Sequence, residues 1–169
     1  MLRSRSTKTA SRRTGAPAKR APAETLVFRA SLKPKIYRDF EVADTCTLYA
    51  LARMINDAFD FAFDHAFGFY SNLQGNIFAS PIRYELFADI GEGTPGGLGV
   101  EKTRAADAFP FAGSQMRFLF DYGDEWVFLI RLIERKPKEP GVRLPRLLKS
   151  AGTAPAQYSY NDEDYDEEE

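Results

Sequence analysis

The sequence predicts an α+β fold, in which a single compact domain has a mixed or antiparallel sheet packed by an amphipathic helix. Three observations support this prediction. Apolar residues alternate with period two in several segments, one segment has the helical period, and 169 residues that are 44% hydrophobic are enough for one core. The predicted domain spans residues 25–157, between a disordered basic tail of residues 1–24 and a disordered acidic tail of residues 158–169.

The first two strands are predicted at residues 26–33 and 36–42, as antiparallel neighbours. Lys33, Pro34 and Lys35 interrupt the β-formers between them and favour a turn. In the second strand, alternation places Ile36, Arg38, Phe40 and Val42 on one face and Tyr37, Asp39 and Glu41 on the other.

An amphipathic helix is predicted after Asp44 and Thr45, which are both good N-cap types. Its apolar positions recur at helical spacing and predict a face packed on the sheet; they are Leu48, Leu51, Ala52, Ile55 and Phe59.

The rest of the domain contains a third strand and a hairpin. Residues 61–70 are aromatic at almost every second position, which predicts a strand with Phe63, Phe67 and Phe69 in the core. Residues 91–99 are Gly-rich and predict a flexible loop. Residues 116–120 and 126–132 predict a hairpin with both strands largely buried, and past Glu134 a connection leads to residues 144–148.

Four segments resemble one known family: residues 32–38 (LKPKIYR), Asp64-His65 before an aromatic strand, residues 120–126 (FDYGDEW) and residues 145–155 (PRLLKSAGTAP). Their order and spacing are similar to the plasmid pRiA4b open-reading-frame-three-like family over about residues 26–158. Tyr37 stands where many relatives have Trp, and Phe61 where a Gly-Trp pair is common, but both keep an aromatic side chain.

The resemblance implies a compact α+β domain with helices on one side of the sheet, and it implies no established activity. Some members of the family travel in insertion elements and carry a resolvase label. Serine recombinase chemistry requires a nucleophilic Ser among clustered arginines and a helix-turn-helix, and neither is recognisable in this sequence. The label therefore predicts nothing about the chemistry of this chain.

Carboxylates near the only histidine are candidate metal ligands or turn formers. Asp121, Asp124 and Glu125 would hold Mg²⁺ or Mn²⁺ if they met Asp64 and His65, since hard cations prefer oxygen ligands. The favoured interpretation is a turn, in which Asp121 and Asp124 accept backbone N–H groups and Gly123 supplies a positive φ. We predict no metal and no cofactor.

His65 and Cys46 are the remaining candidates for catalysis. His65 is the obvious general base because its ordinary pKa lies near neutrality. A structural histidine bonded to Asp64 or to a backbone carbonyl is the favoured interpretation. Cys46 would be activated if a helix start lowered its thiol pKa, but no second motif supports that, so an inert small residue is predicted.

The aromatic residues have three interpretations. Tyr122, Trp126 and the Phe-rich strands would stack on single-stranded bases if they were exposed. Core packing is favoured, since a buried strand face needs the same alternation. A protein–protein adaptor acting through exposed aromatics around Tyr122 and Tyr84 is a further hypothesis.

The basic tail has the clearest physical partner. Seven cations on a flexible chain attract phosphate by counterion release; they are Arg3, Arg5, Lys8, Arg12, Arg13, Lys19 and Arg20. Such contacts with nucleic acid are weak and salt-sensitive. The acidic tail would compete with nucleic acid if it folded over this arm, and the alternative is that both tails only solubilise the domain.

The compartment follows from the cysteine count and the hydropathy. Cys46 is the single cysteine and has no partner for an internal disulfide, which favours a reducing cytoplasm. No apolar run approaches the ~20 residues that cross a bilayer, so no membrane contact is predicted. The basic, Ser-rich N-terminus leaves an organelle transit peptide as an alternative.

The function predicted from the sequence is a non-enzymatic binding or accessory domain, associated with a mobile element, that contacts nucleic acid or protein weakly through its basic arm. The alternative is a small metal-dependent hydrolase or nuclease using Asp64, His65, Asp121 and Asp124. The sequence sets no oligomeric state.

Overall fold

The structure is a computed structural model that describes residues 23–158, and it confirms the predicted α+β class. Eight strands and two helices make up the domain: β1 (Glu24–Lys33), β2 (Ile36–Ala43), α1 (Leu48–Phe59), β3 (Phe67–Tyr70), β4 (Arg83–Glu85), β5 (Leu98–Gly99), α2 (Ala105–Ala108), β6 (Gln115–Phe120), β7 (Trp126–Pro137) and β8 (Arg146–Ala151). Residues 1–22 and 159–169, which contain most of both predicted tails, lie outside the described residues.

The strands form one mixed sheet in the order β5-β4-β3-β6-β7-β1-β2-β8. Every neighbouring pair is antiparallel except β4 and β5, which are parallel. Helix α1 covers one side of the sheet, which we call the helix face, and the opposite side is the open face. Between residues 23 and 158 no helix has the length and apolar character to span a bilayer.

The first two strands pair as predicted, around a turn at Pro34. Phe28 and Phe40 lie opposite each other on the helix face with ring centroids 6.2 Å apart. Arg38 lies on the same face, as the alternation predicts, and is buried beneath the end of α1. Its guanidinium donates to the carbonyl of Ala58 and lies 4.7 Å from the ring centre of Phe59.

Helix α1 buries the five apolar positions predicted for it. The predicted N-cap was wrong, because Ala43 and Cys46 close a turn and the cap falls at Thr47. The Thr47 hydroxyl accepts the backbone N–H of Ala50 at 3.2 Å. The helix ends where Asp60 takes a left-handed conformation with φ of 61°.

The third strand is shorter than predicted. Only residues 67–70 pair as a strand, and the predicted start is held elsewhere, because the backbone N–H of Phe61 donates to the carbonyl of Asn56 at the end of α1. Phe67 and Phe69 are buried in the core as predicted, and Phe63 packs against it, half-buried.

The hairpin of β6 and β7 is confirmed, with Phe120 opposite Trp126. Both strands are buried on the helix face, but alternate residues of β7, such as Leu129 and Arg131, are exposed on the open face. From the sequence, a connection was predicted from Glu134 onward, leading to residues 144–148, to which no element was assigned. The structure forms β8 there, an edge strand paired with β2.

The polar residues of β2 do point to the open face, but they are not simply solvated. The Glu41 carboxylate is fully buried and accepts hydrogen bonds from the Thr25 hydroxyl at 2.6 Å and Arg146 Nε at 2.7 Å. Burial alone would raise its pKa, but these hydrogen bonds and the charge of Lys136 lower it below its usual range. Neighbouring strands therefore supply the partners that permit a carboxylate inside the sheet.

Candidate functional site

The turn between β6 and β7 is built on the Asp121 carboxylate. Oδ1 of Asp121 accepts the backbone N–H of Gly123 at 2.9 Å and of Asp124 at 3.3 Å. The backbone N–H of Glu125 donates to the Asp121 carbonyl at 2.7 Å and closes the turn. Asp121 therefore makes the contacts of a turn former, as predicted.

The predicted role of Gly123 was wrong in its detail. The positive φ angles of this turn belong to Asp121, at 59°, and Glu125, at 53°, and Gly123 is not in that region. A Cβ at Gly123 would lie 3.3 Å from Asp121 Oδ1. The glycine therefore allows the carboxylate to approach the backbone closely.

His65 lies between two carboxylates. Its Nδ1 donates to Asp64 Oδ1 at 2.8 Å, and its Nε2 lies 3.5 Å from Asp121 Oδ2. The Asp121 side chain is 9% exposed, whereas that of His65 is 40% exposed. The structure therefore brings together three of the four groups named for the hydrolase hypothesis, at the surface of the hairpin end of the sheet.

A contact from the end of the domain completes this cluster. The Tyr158 hydroxyl donates to Asp64 Oδ2 at 2.8 Å and lies 3.4 Å from His65 Nδ1. Gln157 pairs with residues 60–66 by accepting the backbone N–H of Ala62 at 2.6 Å. Tyr158 was predicted to belong to the acidic tail, because no pattern in the neighbouring sequence indicates a contact with Asp64.

We expect His65 to titrate with a pKa above its ordinary value of about 6.5. The hydrogen bond to Asp64 raises the pKa most, desolvation opposes it, and the charges of Asp121, Asp64 and Asp124 raise it further. His65 is the only histidine, so its ring gives a unique signal in an NMR pH titration. Asp64→Asn should lower the pKa, and an unchanged value would contradict the hydrogen bond.

The sign of the linked stability follows from that shift. A histidine whose pKa is raised by folding contributes its full stabilisation below the pKa of the unfolded chain. The contribution is lost as the pH rises through the folded pKa. The contact between Asp64, His65 and residues 157–158 should therefore weaken on the alkaline side. This is detected as lower amide protection factors in those residues, after correction for the intrinsic rise of exchange with pH.

The cluster fits an ion pair better than a cation site. When His65 is protonated, both ring nitrogens carry hydrogens and neither has a lone pair to give a metal. The Asp124 side chain is exposed and makes no side-chain hydrogen bond within the described part of the chain. Between residues 23 and 158, no group of three or more His, Cys, Asp or Glu side chains has an arrangement that could hold a metal ion.

A cleft of about 210 Å³ opens on the other side of the same turn. Tyr122 leaves the turn next to Asp121 and forms part of its wall. The rest is formed by Ala66 and β3, by Phe78 before β4, and by Glu85 of β4 with the chain that follows it. Seven of its lining residues are aromatic or acidic: Phe67, Tyr70, Phe78, Glu85, Phe87, Glu92 and Tyr122. Phe78, Phe87 and Tyr122 are 50%, 47% and 40% exposed, so their rings are available at its mouth.

The floor of the cleft depends on Gly68. A Cβ at Gly68 would lie 2.8 Å from the Tyr70 ring, so the glycine lets that ring fold back along the open face of its own strand. The buried Tyr70 hydroxyl then meets the Tyr122 hydroxyl at 2.9 Å. Burial, together with the charge of Glu85, raises the pKa of both hydroxyls, so both tyrosines are neutral.

The Gly-rich segment forms one wall of the cleft. The buried Glu85 carboxylate accepts the backbone N–H of Thr94 at 2.7 Å and its hydroxyl at 2.8 Å. A Cβ at Gly97 would lie 2.8 Å from Glu85 Oε2, which explains a glycine there. This segment was predicted as a flexible loop. In the structure, Glu85 holds it to β4 through Thr94.

Of the aromatic residues singled out from the sequence, Tyr84 lies in the core and Trp126 packs against it, half-buried. Trp126 packs edge-on against Phe61, with ring centroids 4.8 Å apart, and Tyr84 is buried on the helix face. Among the described residues, the indole N–H of Trp126 has no hydrogen-bond partner. Only Tyr122 of this set offers its ring to a ligand.

Cys46 should react slowly with thiol reagents. Burial raises the pKa of its thiol to about 11, so the thiolate is scarce at neutral pH. We expect alkylation by iodoacetamide at pH 8 to be much slower in the folded protein than in urea. Equal rates would show that the thiol is exposed or activated.

The comparisons with known proteins bear on the family and the fold. Residues 27–166 match the family model described as Plasmid pRiA4b ORF-3-like protein. The chain belongs to this family. No curated protein matches it. Among solved structures, it is similar to the crystal structure of a protein of unknown function, MM3350 from Methanosarcina mazei Go1, at 20% identity and a TM-score of 0.63. The match covers 79% of this chain and 72% of that one, and it shows a shared fold.

In this pRiA4b ORF-3-like protein, the four segments that carry the resemblance contact one another in pairs. Arg38 of the first segment donates to the carbonyl of Ala151 in the fourth at 2.8 Å. His65 of the second faces Asp121 of the third. The first and fourth segments therefore join β2 to β8, and the second and third join the chain after α1 to the turn between β6 and β7.

Proposed function

We propose that this pRiA4b ORF-3-like protein is a non-enzymatic binding domain whose ligand site is the cleft beside Tyr122. The observation that carries the proposal is the set of three half-exposed aromatic rings around a concave surface with buried polar groups at its base. Ligand sites in proteins typically combine an apolar wall with a few placed polar groups.

The polar groups of the cleft support binding more than catalysis. Glu85 is buried and held in place by the backbone N–H and the hydroxyl of Thr94, and Tyr70 and Tyr122 have raised pKa values that keep them protonated. A general base needs a pKa near the working pH and a free lone pair. These groups are better suited to orient a ligand by hydrogen bonds.

Chemical-shift mapping of the full chain tests this proposal. We would titrate ¹⁵N-labelled protein with phenol, n-butylammonium and butanoate, a neutral, a cationic and an anionic probe. Shifts confined to residues 66–70, 78, 85–94 and 122 for at least one probe would support the cleft as the ligand site. Shifts scattered over the surface, or centred elsewhere for all three, would overturn it.

The basic arm supplies a second, weaker contact in this proposal. Its seven cations would bind nucleic acid or an acidic protein by counterion release. Replacing Arg3, Arg5, Arg12, Arg13 and Arg20 by Gln in the full chain should abolish DNA and RNA binding at low salt. Binding that survives both this change and high salt would place the nucleic-acid contact in the folded domain.

The arm and the single cysteine also bear on the setting of the protein. We infer a cytoplasmic location, which a buried thiol without a disulfide partner supports. Association with a mobile element would give the basic arm DNA as its partner.

One observation favours the alternative of a metal-dependent hydrolase or nuclease, namely that Asp64, His65 and Asp121 converge. Titration with Mn²⁺ tests it, because a bound paramagnetic ion broadens the His65 ring signal selectively. Broadening at low Mn²⁺ concentration, together with hydrolysis of bis(p-nitrophenyl) phosphate that Asp121→Asn abolishes, would establish the alternative. Neither effect is expected if the cluster is an ion pair.

A further inference from the structure

The charged side chains that line the cleft are all acidic. Its lining contains two carboxylates, Glu85 and Glu92, and no lysine, arginine or histidine. The remaining walls are mostly aromatic, and the faces of aromatic rings carry negative electrostatic potential. Carboxylates and ring faces both attract a positive charge, so the two kinds of lining group select for the same ligand class.

The nearest positive charge only partly offsets this potential. Arg83 Nε lies 4.0 Å from Glu85 Oε1 and offsets part of the charge of that carboxylate. Arg83 itself is outside the cleft lining, because its guanidinium is held by the carbonyls of Ser80 at 2.7 Å and Pro95 at 2.6 Å. Glu92 adds a second carboxylate to the cleft wall. Asp124 adds negative charge in the turn next to Tyr122, whereas the charge of Asp121 is offset by His65 when the imidazole is protonated.

The two tyrosine hydroxyls leave hydrogen-bonding capacity for a ligand. One O–H donates to the other oxygen at 2.9 Å, and each hydroxyl oxygen has two lone pairs. Accepting lone pairs beside aromatic faces suit an ammonium group that still carries N–H donors. A quaternary ammonium group would use the ring faces alone.

The size of the cleft limits the ligand. Pockets for drug-sized molecules measure about 300–1,000 Å³, whereas this cleft measures about 210 Å³. It accommodates one short chain or one side chain. We propose that the cleft binds a primary alkylammonium group, either of a small amine or of a lysine side chain, between Phe78, Phe87 and Tyr122. The proposal rests on the proposed function, because it names the ligand class of the same site.

A matched series of probes tests the charge selection. n-Butylammonium, n-butanol and butanoate differ mainly in the head group, and their affinities can be measured from amide shifts of the full chain at constant ionic strength. We expect n-butylammonium to bind at least about fivefold more tightly than n-butanol, and butanoate to bind least. Equal affinity for butanol would overturn the cation proposal and leave cleft binding intact. Cleft signals that respond to none of these three probes, and not to phenol either, would overturn both.

Two glutamate variants test whether the cleft carboxylate causes the preference for the ammonium probe. Glu92→Gln should reduce the preference for the ammonium probe, whereas Glu134→Gln, an exposed carboxylate on β7, should leave it unchanged. Equal preference in Glu92→Gln and wild type would contradict the role of the cleft carboxylate. Nα-acetyl-lysine methylamide distinguishes the two sources: affinity at least equal to that of n-butylammonium indicates a lysine side chain, and weaker affinity indicates a free amine.

Discussion

Replacing Phe118 by alanine is expected to lower the free energy of unfolding by about 3–5 kcal/mol. Phe118 lies fully buried in the middle of β6. Its ring contacts Phe69 at a centroid distance of 4.8 Å, Phe67 at 5.7 Å and Phe128 at 5.8 Å. The truncation removes a ring that packs across three adjacent strands and leaves a cavity that rigid strands cannot close.

Urea denaturation followed by circular dichroism measures this loss. Phe111→Ala is the matched control, because the same side chain is 65% exposed there and its removal should cost under about 0.5 kcal/mol. A loss below about 1 kcal/mol for Phe118→Ala would mean that the aromatic core is not packed as described.

Replacing Arg38 by alanine is expected to cost about 2–4 kcal/mol. The buried guanidinium donates to the carbonyls of Ala58 at 2.9 Å, Tyr37 at 2.9 Å and Ala151 at 2.8 Å. It therefore joins the end of α1, strand β2 and strand β8. Its removal deletes these three hydrogen bonds and opens space beside the Phe59 ring.

The position of the loss distinguishes this prediction from a general destabilisation. Amide exchange should accelerate first in β8 and residues 152–158, which Arg38 connects to the body of the domain. Arg131→Ala, at an exposed position of β7, serves as the control and should change neither stability nor exchange. Unaltered exchange in β8 of Arg38→Ala would show that other contacts hold that strand.

The predictable parts of the fold were those with a strong local pattern. Five apolar residues at helical spacing predicted α1, and alternation on either side of residues 121–125 predicted the hairpin. The third strand was predicted too long, since aromatic alternation cannot show that Phe61 is held by Asn56. Strand β8 was missed because edge strands have few buried residues, and here Leu147 and Leu148 are 48% and 45% exposed.

The candidate site was predicted only in part, for a similar reason. Asp64 and His65 are adjacent in the sequence, and Asp121 lies in a recognisable turn, so their convergence was a reasonable hypothesis. Phe78, Glu85 and Phe87 lie in a stretch without periodicity, and only the sheet topology brings them beside Tyr122. The one local signal was Gly68 between two phenylalanines, which indicates that something packs closely over the strand.

The domain between residues 25 and 157 has no net charge, so overall charge would not attract a ligand to it. In the proposed site, exposed aromatic rings would supply the contact instead. The helix face is occupied by its own core, and the hairpin cluster is occupied by Tyr158. In the cleft, by contrast, three aromatic side chains lie together and stay exposed, namely Phe78, Phe87 and Tyr122.

The affinity of phenol for two alanine variants tests the central claim most directly. Phe87 lines the cleft and Phe111 does not, while both side chains are exposed, at 47% and 65%. Loss of one aromatic contact predicts about two- to tenfold weaker binding by Phe87→Ala and affinity equal to wild type for Phe111→Ala. Equal affinities for the two variants, or a loss confined to Phe111→Ala, would contradict the assignment of the ligand site to this cleft.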